Sequence, residues 1–205
     1  MYKRQAQELK QHGAVKAKRF DSVTVMFTDF KGFTSYAEKL DPEELVKSVD
    51  YYFSAFDKIM EKHGLEKIKT VGDAYMCAGG LPFPTEDHPV RAILAAKEII
   101  EFVHNSKLSN GHRTPFDVRV GINTGPVVAG VVGTKKFAYD IWGDTVNIAS
   151  RMESNSEVGK INVSGNTYEL IKNLYQCEYR GSIAVKNRGN MDMYFVGEEV
   201  AALAS

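Results

Sequence analysis

The sequence predicts an α+β domain in which helices cover at least one face of a mostly antiparallel sheet. Residues 22–30, SVTVMFTDF, are β-branched and apolar on both faces, which is typical of a central strand. Two apolar segments around Val71-Gly72-Asp73 predict a hairpin with a tight turn. Two long segments, one starting at Asp41-Pro42 and one over residues 88–104, repeat apolar residues with a helical period.

The remaining elements follow in chain order. His63-Gly64 ends the first long helix, and residues 116–125 and 126–133 are predicted as two strands around a Gly125-Pro126 corner. Residues 135–142 lead into a helix over residues 143–153. A strand at residues 161–165, a short helix at 167–174 and strands near 175–185 and 191–196 complete the chain. The 205 residues, 43% of them hydrophobic, fit one compact domain.

Charge and composition exclude several classes of protein. Lys plus Arg and Asp plus Glu both total 26, so the chain lacks the basic excess of a nucleic-acid-binding domain. Cys77 and Cys177 are too few for a disulfide framework and are expected to be reduced. No apolar run approaches the roughly 20 residues that span a bilayer, and the start lacks a signal-peptide core. We therefore expect a cytoplasmic domain.

Residues 1–19 differ from the rest of the chain. They hold six cations against the single anion Glu8, and Leu9 is their one large aliphatic side chain. We expect a solvated helical arm that connects the domain to an upstream sensor or regulatory domain. The globular domain is expected over residues 20–198, and residues 199–205 are expected to form a C-terminal tail.

Two aspartates are candidates for phosphate and metal chemistry. Asp29 ends the predicted central strand, and the bend that follows it enters a helix whose first amides could seat phosphate oxygens. Asp73 lies in the predicted hairpin turn. If the two carboxylates meet, they suit two hard cations about 3.5–4 Å apart. Taken singly, Asp29 could instead cap the helix, and Asp73 could serve the turn alone.

Asn147 and Arg151 form a second candidate pair. They lie four residues apart on a predicted helix and so project from one face. A neutral amide beside a fixed cation suits a sugar oxygen and a charged phosphoryl group. The alternative is a surface helix with two ordinary polar residues.

Five segments, taken together and in order, resemble the motif series of class III nucleotidyl cyclases. They are FTDFKGFT (27–34), EKIKTVGDAYM (66–76), VRVGINTG (118–125), YDIWGDTVNIASRME (139–153) and VKNRGNMDMYFV (185–196). The resemblance runs from about Phe20 to Val196. It implies a ferredoxin-like βαββαβ core with additional strands and helices. It also implies that two domains pair head to tail, with active sites in the groove between them.

The resemblance assigns roles to residues of one subunit's half of the site. Asp29 and Asp73 match the metal-binding aspartates, and Phe30 matches a position whose backbone carbonyl contacts a metal. Arg119 matches a triphosphate-binding arginine. The turn at the β- and γ-phosphates is matched by Gly32, Phe33 and Thr34. The implied cofactors are two divalent cations, Mg²⁺ or Mn²⁺.

The partner's half of the site is assigned in the same way. Asn147 and Arg151 match the pair that orients the ribose and stabilises the pentavalent phosphate, and Lys186 matches a triphosphate lysine. Lys186 is followed by Asn-Arg-Gly-Asn where many relatives have Gly-Lys-Gly, so the loop differs from the family pattern. Because the chain carries both halves, a symmetric homodimer would hold two complete sites.

Lys69 and Asp140 match the positions that read the purine in adenylyl cyclases. Adenine presents an acceptor at N1 and a donor at its amino group, and a cation with a carboxylate complements that pattern. The resemblance therefore implies an adenylyl cyclase that converts ATP to cyclic AMP and pyrophosphate. Two alternatives are a guanylyl cyclase, which typically carries Glu and Cys there, and a non-catalytic module with a degenerate cyclase fold.

Overall fold

The computed structural model describes residues 17–108, 114–133, 138–185 and 189–200. Its strands are β1 (Lys18–Lys31), β2 (Glu66–Val71), β3 (Ala74–Gly79), β4 (Asp117–Val132), β5 (Ala138–Trp142), β6 (Ile161–Ser164), β7 (Tyr175–Val185) and β8 (Gly189–Glu199). Its helices are α1 (Phe33–Ala37), α2 (Pro42–His63), α3 (His88–Leu108), α4 (Asp144–Ser154) and α5 (Gly165–Ile171). None of the helices in these ranges combines the length and the apolar composition needed to span a bilayer.

The described strands pair into one sheet in the order β2-β3-β1-β4-β6-β8-β7, and β5 also pairs with β4. Among the strands that the structure describes, only β4 and β6 pair in parallel. The elements β1-α2-β2-β3-α3-β4 form a βαββαβ core, and the later strands extend the sheet beyond β4. The predicted α+β class with a mostly antiparallel sheet is confirmed.

The prediction of two strands around a corner was wrong. Gly125 and Pro126 do not make a corner, because β4 runs through both as one strand. The partner strand β1 shifts register between Phe20 and Val23, opposite Pro126, and this bulge accommodates a residue that cannot donate to the ladder. Strand β1 starts at Lys18. The predicted arm over residues 1–16 lies outside the described residues.

The faces of the sheet carry separate cores. Successive residues Val25 and Met26 on β1 belong to different clusters, which explains why this strand is apolar throughout. Helices α2 and α3 cover the first cluster. Within it, the ring of Phe30 stacks on Phe116 at 4.6 Å and meets Tyr52 edge-on at 5.3 Å. This aromatic packing fixes the end of β1, where Asp29 lies.

Helix α2 begins and ends where the sequence predicts. The Asp41 side chain accepts a hydrogen bond of 2.9 Å from the Glu43 backbone N–H, and Pro42 occupies the first turn. At the other end, Gly64 has a φ of 64°, the left-handed conformation that glycine adopts without strain. These two caps set the length of the helix that supports the aromatic cluster.

Helix α4 lies directly on β4 at a position without a side chain. A Cβ added to Gly121 would lie 1.8 Å from the backbone nitrogen of Glu153 and 2.3 Å from its Cα. The contact is therefore between two backbones, and only glycine permits it. It fixes the distance between β4, which carries Arg119, and the helix that carries Asn147 and Arg151.

We expect Gly121→Ala to destabilise the fold by at least about 2 kcal/mol, because α4 must move away from β4 to admit the methyl group. Urea unfolding of the purified variant measures this. Gly130→Ala on the same strand is the matched control, since its Cβ would meet Trp142 at 3.5 Å and Ala17 at 3.6 Å, which are ordinary contacts. Equal stability losses in the two variants would contradict the close-contact explanation.

Candidate active site

The register of two neighbouring strands sets Asp29 beside Arg119. The two residues are direct cross-strand partners on β1 and β4. Arg119 Nη2 donates a hydrogen bond of 3.0 Å to Asp29 Oδ1, and both side chains are about four-fifths buried. A charge-assisted bond in this partly desolvated position is stronger than its equivalent in water. The pair forms the fixed base of the candidate site.

Asp73 lies at the tip of the β2–β3 hairpin, next to the same end of β1. Thr28 pairs with Tyr75, so the hairpin turn two residues earlier comes alongside the strand end. Burial raises the pKa of Asp73 above its ordinary value, and the nearby negative charge of Asp29 raises it further. The Phe30 backbone N–H and Arg119 oppose this rise. The carboxylates of Asp29 and Asp73 thus share one electrostatic environment.

This pair of carboxylates fits a hard divalent cation. Two carboxylates that are largely removed from solvent and repel each other gain stability from a cation that prefers oxygen ligands. The structure places Phe30, whose backbone carbonyl is the expected third ligand, between Asp29 and the turn at Gly32. In the described ranges, no group of three or more His, Cys, Asp or Glu side chains forms a metal site. Metal binding would therefore depend on Asp29, Asp73 and the backbone.

The turn after β1 has the predicted shape. Gly32 adopts a φ of 76° and caps α1, where its carbonyl accepts from the Ser35 backbone N–H at 3.0 Å. Thr34 is exposed. The ring of Phe33 packs toward Phe116 at 5.7 Å, so its side chain serves the core. Any contact of Phe33 with a phosphate would therefore use its backbone.

Glu153, which was not among the residues predicted for the site, joins this cluster from α4. Its side chain is 8% exposed, and its Oε1 lies 2.9 Å from Arg119 Nη2. Burial and the charge of Asp29 raise the pKa of Glu153 to about 7, while Arg119 opposes the rise. A signal was present in the sequence: Thr145, Ile148, Ala149, Met152 and Glu153 form the buried stripe of α4, and a carboxylate within such a stripe requires a partner.

Asn147 and Arg151 occupy the opposite, exposed face of α4. Arg151 Nη1 donates a hydrogen bond of 3.2 Å to the Ala184 backbone carbonyl on β7. Among the described residues, no hydrogen bond or ion pair joins Asn147 or Arg151 to the Asp29–Asp73 cluster. Lys186, which follows β7, lies outside the described residues. One chain therefore presents these candidate groups as two separate sets.

Lys69 and Asp140 come together from distant positions in the chain. Lys69 lies on β2 and Asp140 on β5, and Lys69 Nζ lies 2.6 Å from Asp140 Oδ2. Asp140 Oδ1 also accepts a hydrogen bond of 2.9 Å from the Ile141 backbone N–H, which orients the carboxylate. The side chain of Lys69 is 43% exposed and that of Asp140 is 15% exposed. The pair thus presents a donor and an acceptor at the surface.

The raised pKa of Glu153 predicts a pH-dependent stability. The folded state favours the protonated carboxyl of Glu153. Its contribution to the free energy of unfolding is therefore complete below about pH 4.5 and is lost as the pH rises through about 7. Between pH 4.5 and pH 8, the wild type should lose about 3 kcal/mol relative to Glu153→Gln, whose side chain cannot ionise. Urea unfolding of both proteins in metal-free buffer tests this. Parallel pH profiles would contradict the assignment.

The comparisons with known proteins agree with this geometry. The family model of the adenylate and guanylate cyclase catalytic domain matches residues 15–198. An adenylate cyclase from Mycobacterium tuberculosis is 44% identical over 187 residues, which cover 91% of this chain and 42% of that protein. The chain thus spans less than half of the length of this curated relative.

Two crystal structures share the fold. The adenylyl cyclase CyaB from P. aeruginosa superposes with a TM-score of 0.83 at 33% identity, over 92% of this chain and all of that one. The catalytic core of a rhodopsin-guanylyl cyclase with converted specificity, in complex with ATPαS, gives a TM-score of 0.84 at 37% identity, over 90% and 99% of the two chains. This chain therefore belongs to the adenylate and guanylate cyclase catalytic domain family, the class III nucleotidyl cyclases.

Proposed function

We propose that this chain is the catalytic domain of an adenylyl cyclase, which converts ATP to 3′,5′-cyclic AMP and pyrophosphate at sites shared between two copies. The Lys69–Asp140 pair, with 2.6 Å between Nζ and Oδ2, carries the proposal. The carboxylate can accept a hydrogen bond from the adenine amino group, and the ammonium can donate to N1. Guanine has a donor at N1, so Lys69 would leave that donor unpaired at a cost of roughly 1–3 kcal/mol.

The β- and γ-phosphates are assigned to the turn after β1 and to Arg119. Asp29 and Asp73 would hold two cations through their carboxylate oxygens, together with the Phe30 carbonyl. Bound there, Mg²⁺ or Mn²⁺ would lower the pKa of the ribose 3′-hydroxyl and neutralise charge on the triphosphate. Arg119 Nη2 already faces Asp29 at 3.0 Å, so its guanidinium is held beside the position proposed for the phosphates.

The remaining groups are assigned to the second copy. The 3′-oxygen bonds to the α-phosphorus while the bond to the pyrophosphate oxygen breaks, and negative charge increases on the α-phosphate. The hydroxyl proton passes to water or to a substrate phosphate. Arg151 would stabilise that charge, Asn147 would orient the ribose, and Lys186 would neutralise the departing pyrophosphate. Asn147 and Arg151 are exposed, and no hydrogen bond or ion pair among the described residues joins them to the carboxylate cluster of their own chain, which supports their use by a partner.

The relatives support a nucleotidyl cyclase reaction, and the choice between adenine and guanine remains to be tested. The mycobacterial relative is an adenylate cyclase, whereas one structural relative is a guanylyl cyclase core with converted specificity. Turnover of ATP and of GTP by the purified chain, with Mg²⁺ and with Mn²⁺, separates the two activities. Formation of cyclic AMP supports the proposal. Preferential formation of cyclic GMP supports a guanylyl cyclase, and no turnover of either nucleotide supports a non-catalytic module.

The base assignment predicts the result of a double substitution. Lys69→Glu combined with Asp140→Cys should shift the ratio of kcat/KM for ATP to that for GTP toward GTP by at least about tenfold, because it reverses the hydrogen-bonding pattern. The ratio is the informative quantity, since overall activity is expected to fall. The control is Lys67→Glu, on the same strand, whose ammonium pairs with Asp57 at 2.8 Å. An unchanged ratio in the double variant would show that these residues do not read the base.

The shared-site arrangement predicts complementation between inactive variants. Asp73→Ala and Asn147→Ala homodimers each lack an essential group in both sites, so each should be inactive while remaining folded. Mixed in equal amounts, they should regain about a quarter of wild-type activity, since half of the dimers are mixed and each has one complete site of two. Activity at background, in mixtures where two differently tagged variants co-purify as a heterodimer, would exclude sites shared in this way.

A further inference from the structure

The guanidinium of Arg119 lies between two carboxylates. Arg119 Nη2 is 3.0 Å from Asp29 Oδ1 and 2.9 Å from Glu153 Oε1. Only the contact with Asp29 has the geometry of a hydrogen bond. Within the described residues, Glu153 Oε1 and Arg119 Nε are buried atoms without a hydrogen-bond partner. Arg119 thus faces two competing anions, and its hydrogen-bonding capacity is not filled.

The two carboxylates differ in how firmly they are held. Glu153 is 8% exposed, and its backbone is in contact with β4 at Gly121, two residues after Arg119. Its Oε2 accepts a hydrogen bond of 3.3 Å from Ser154 Oγ. The side chain of Asp29 is 22% exposed and belongs to the carboxylate pair assigned to the cations. Glu153 is therefore the partner that is held in place beside Arg119, whereas Asp29 is also assigned to the cations.

We propose that Glu153 is a positioning residue that holds the Arg119 guanidinium when Asp29 binds a divalent cation. This inference rests on the proposed function of the site. Without Glu153, the strongest partner of Arg119 in its half-buried position is Asp29, and the arginine would compete with the cation for that carboxylate. With Glu153 in place, Asp29 remains available to a divalent cation, and the outer N–H groups of Arg119 remain available to a polyphosphate.

A simpler explanation is that Glu153 only adds negative charge to the site. Both explanations predict that Glu153→Gln weakens the binding of a cation. They predict opposite changes for an anion, because the loss of a negative charge should strengthen polyphosphate binding, whereas the loss of a positioning group should weaken it. Comparison of a cation and an anion therefore distinguishes the two explanations.

The test measures the binding of Mn²⁺ alone and of inorganic tripolyphosphate alone to the full chain. Mn²⁺ binding is followed by electron paramagnetic resonance and tripolyphosphate binding by calorimetry, both at pH 8. Glu153→Gln should weaken each by about tenfold, as loss of a group that orients a ligand typically does. Glu157→Gln is the control, because it removes the same charge from an exposed side chain that lies 3.6 Å from Arg180. We expect wild-type binding of both probes by this control.

A second variant keeps the charge and changes only the position. Glu153→Asp retains the carboxylate but withdraws it by one methylene group, so it should also weaken tripolyphosphate binding. Tripolyphosphate binding by Glu153→Gln that equals or exceeds the wild-type affinity would overturn the inference. So would wild-type binding by Glu153→Asp. Cyclase activity is measured on the same wild-type preparation. An inactive wild type counts against the proposed function. An active wild type, together with unaltered binding of both probes in the variants, counts only against the positioning role of Glu153.

Discussion

The antiparallel pairing of β1 with β4 is the constraint on which the rest of this domain depends. Its register sets Asp29 opposite Arg119 and brings Gly121 to the position where α4 contacts the sheet. A shift of one residue would turn Asp29 to the other face of the sheet, since successive side chains alternate. Two independent cores, one on each face of β1, oppose such a shift. Hydrophobic burial on both faces therefore fixes the position of the polar site.

The cluster at the end of β1 concentrates charge in a half-buried place. Arg119 contacts Asp29 and Glu153, and Asp73 responds electrostatically to Asp29. One fixed cation cannot balance three carboxylates at this depth. Burial raises the pKa values of Asp73 and Glu153, and the negative charge of Asp29 raises them further. A site of this kind is prepared for additional positive charge. The electrostatic cost of bringing these carboxylates together is consistent with a role in binding rather than in stability.

Helix α4 places candidate site residues on two opposite faces. Its buried stripe carries Glu153 against β4, and its exposed face carries Asn147 and Arg151. The helical period separates these groups onto opposite sides, so one helix can complete the carboxylate cluster of its own chain while it presents an amide and a cation outward. The backbone contact at Gly121 ties both functions to the position of β4. In the proposed symmetric dimer, this geometry would link the two sites directly.

The sequence by itself determined the features that depend on local periodicity and on single residues. The two-faced apolar pattern of β1, the Asp41-Pro42 start and Gly64 end of α2, and the hairpin around Gly72-Asp73 are all present in the structure. Motif order identified the family, and the spacing of Asn147 and Arg151 predicted their common face. These features follow from backbone preferences and side-chain alternation within short segments.

Only the tertiary structure decided how distant segments meet. The pairing of Lys69 with Asp140, 71 positions apart in the chain, requires β2 and β5 to approach each other. The continuity of β4 through Pro126 depends on a bulge in a different strand, and the burial of Glu153 against Arg119 depends on glycine at position 121. Local patterns hold no information about which partner strand can absorb a missing donor or admit a helix backbone. That information lies in packing between elements, which the fold alone supplies.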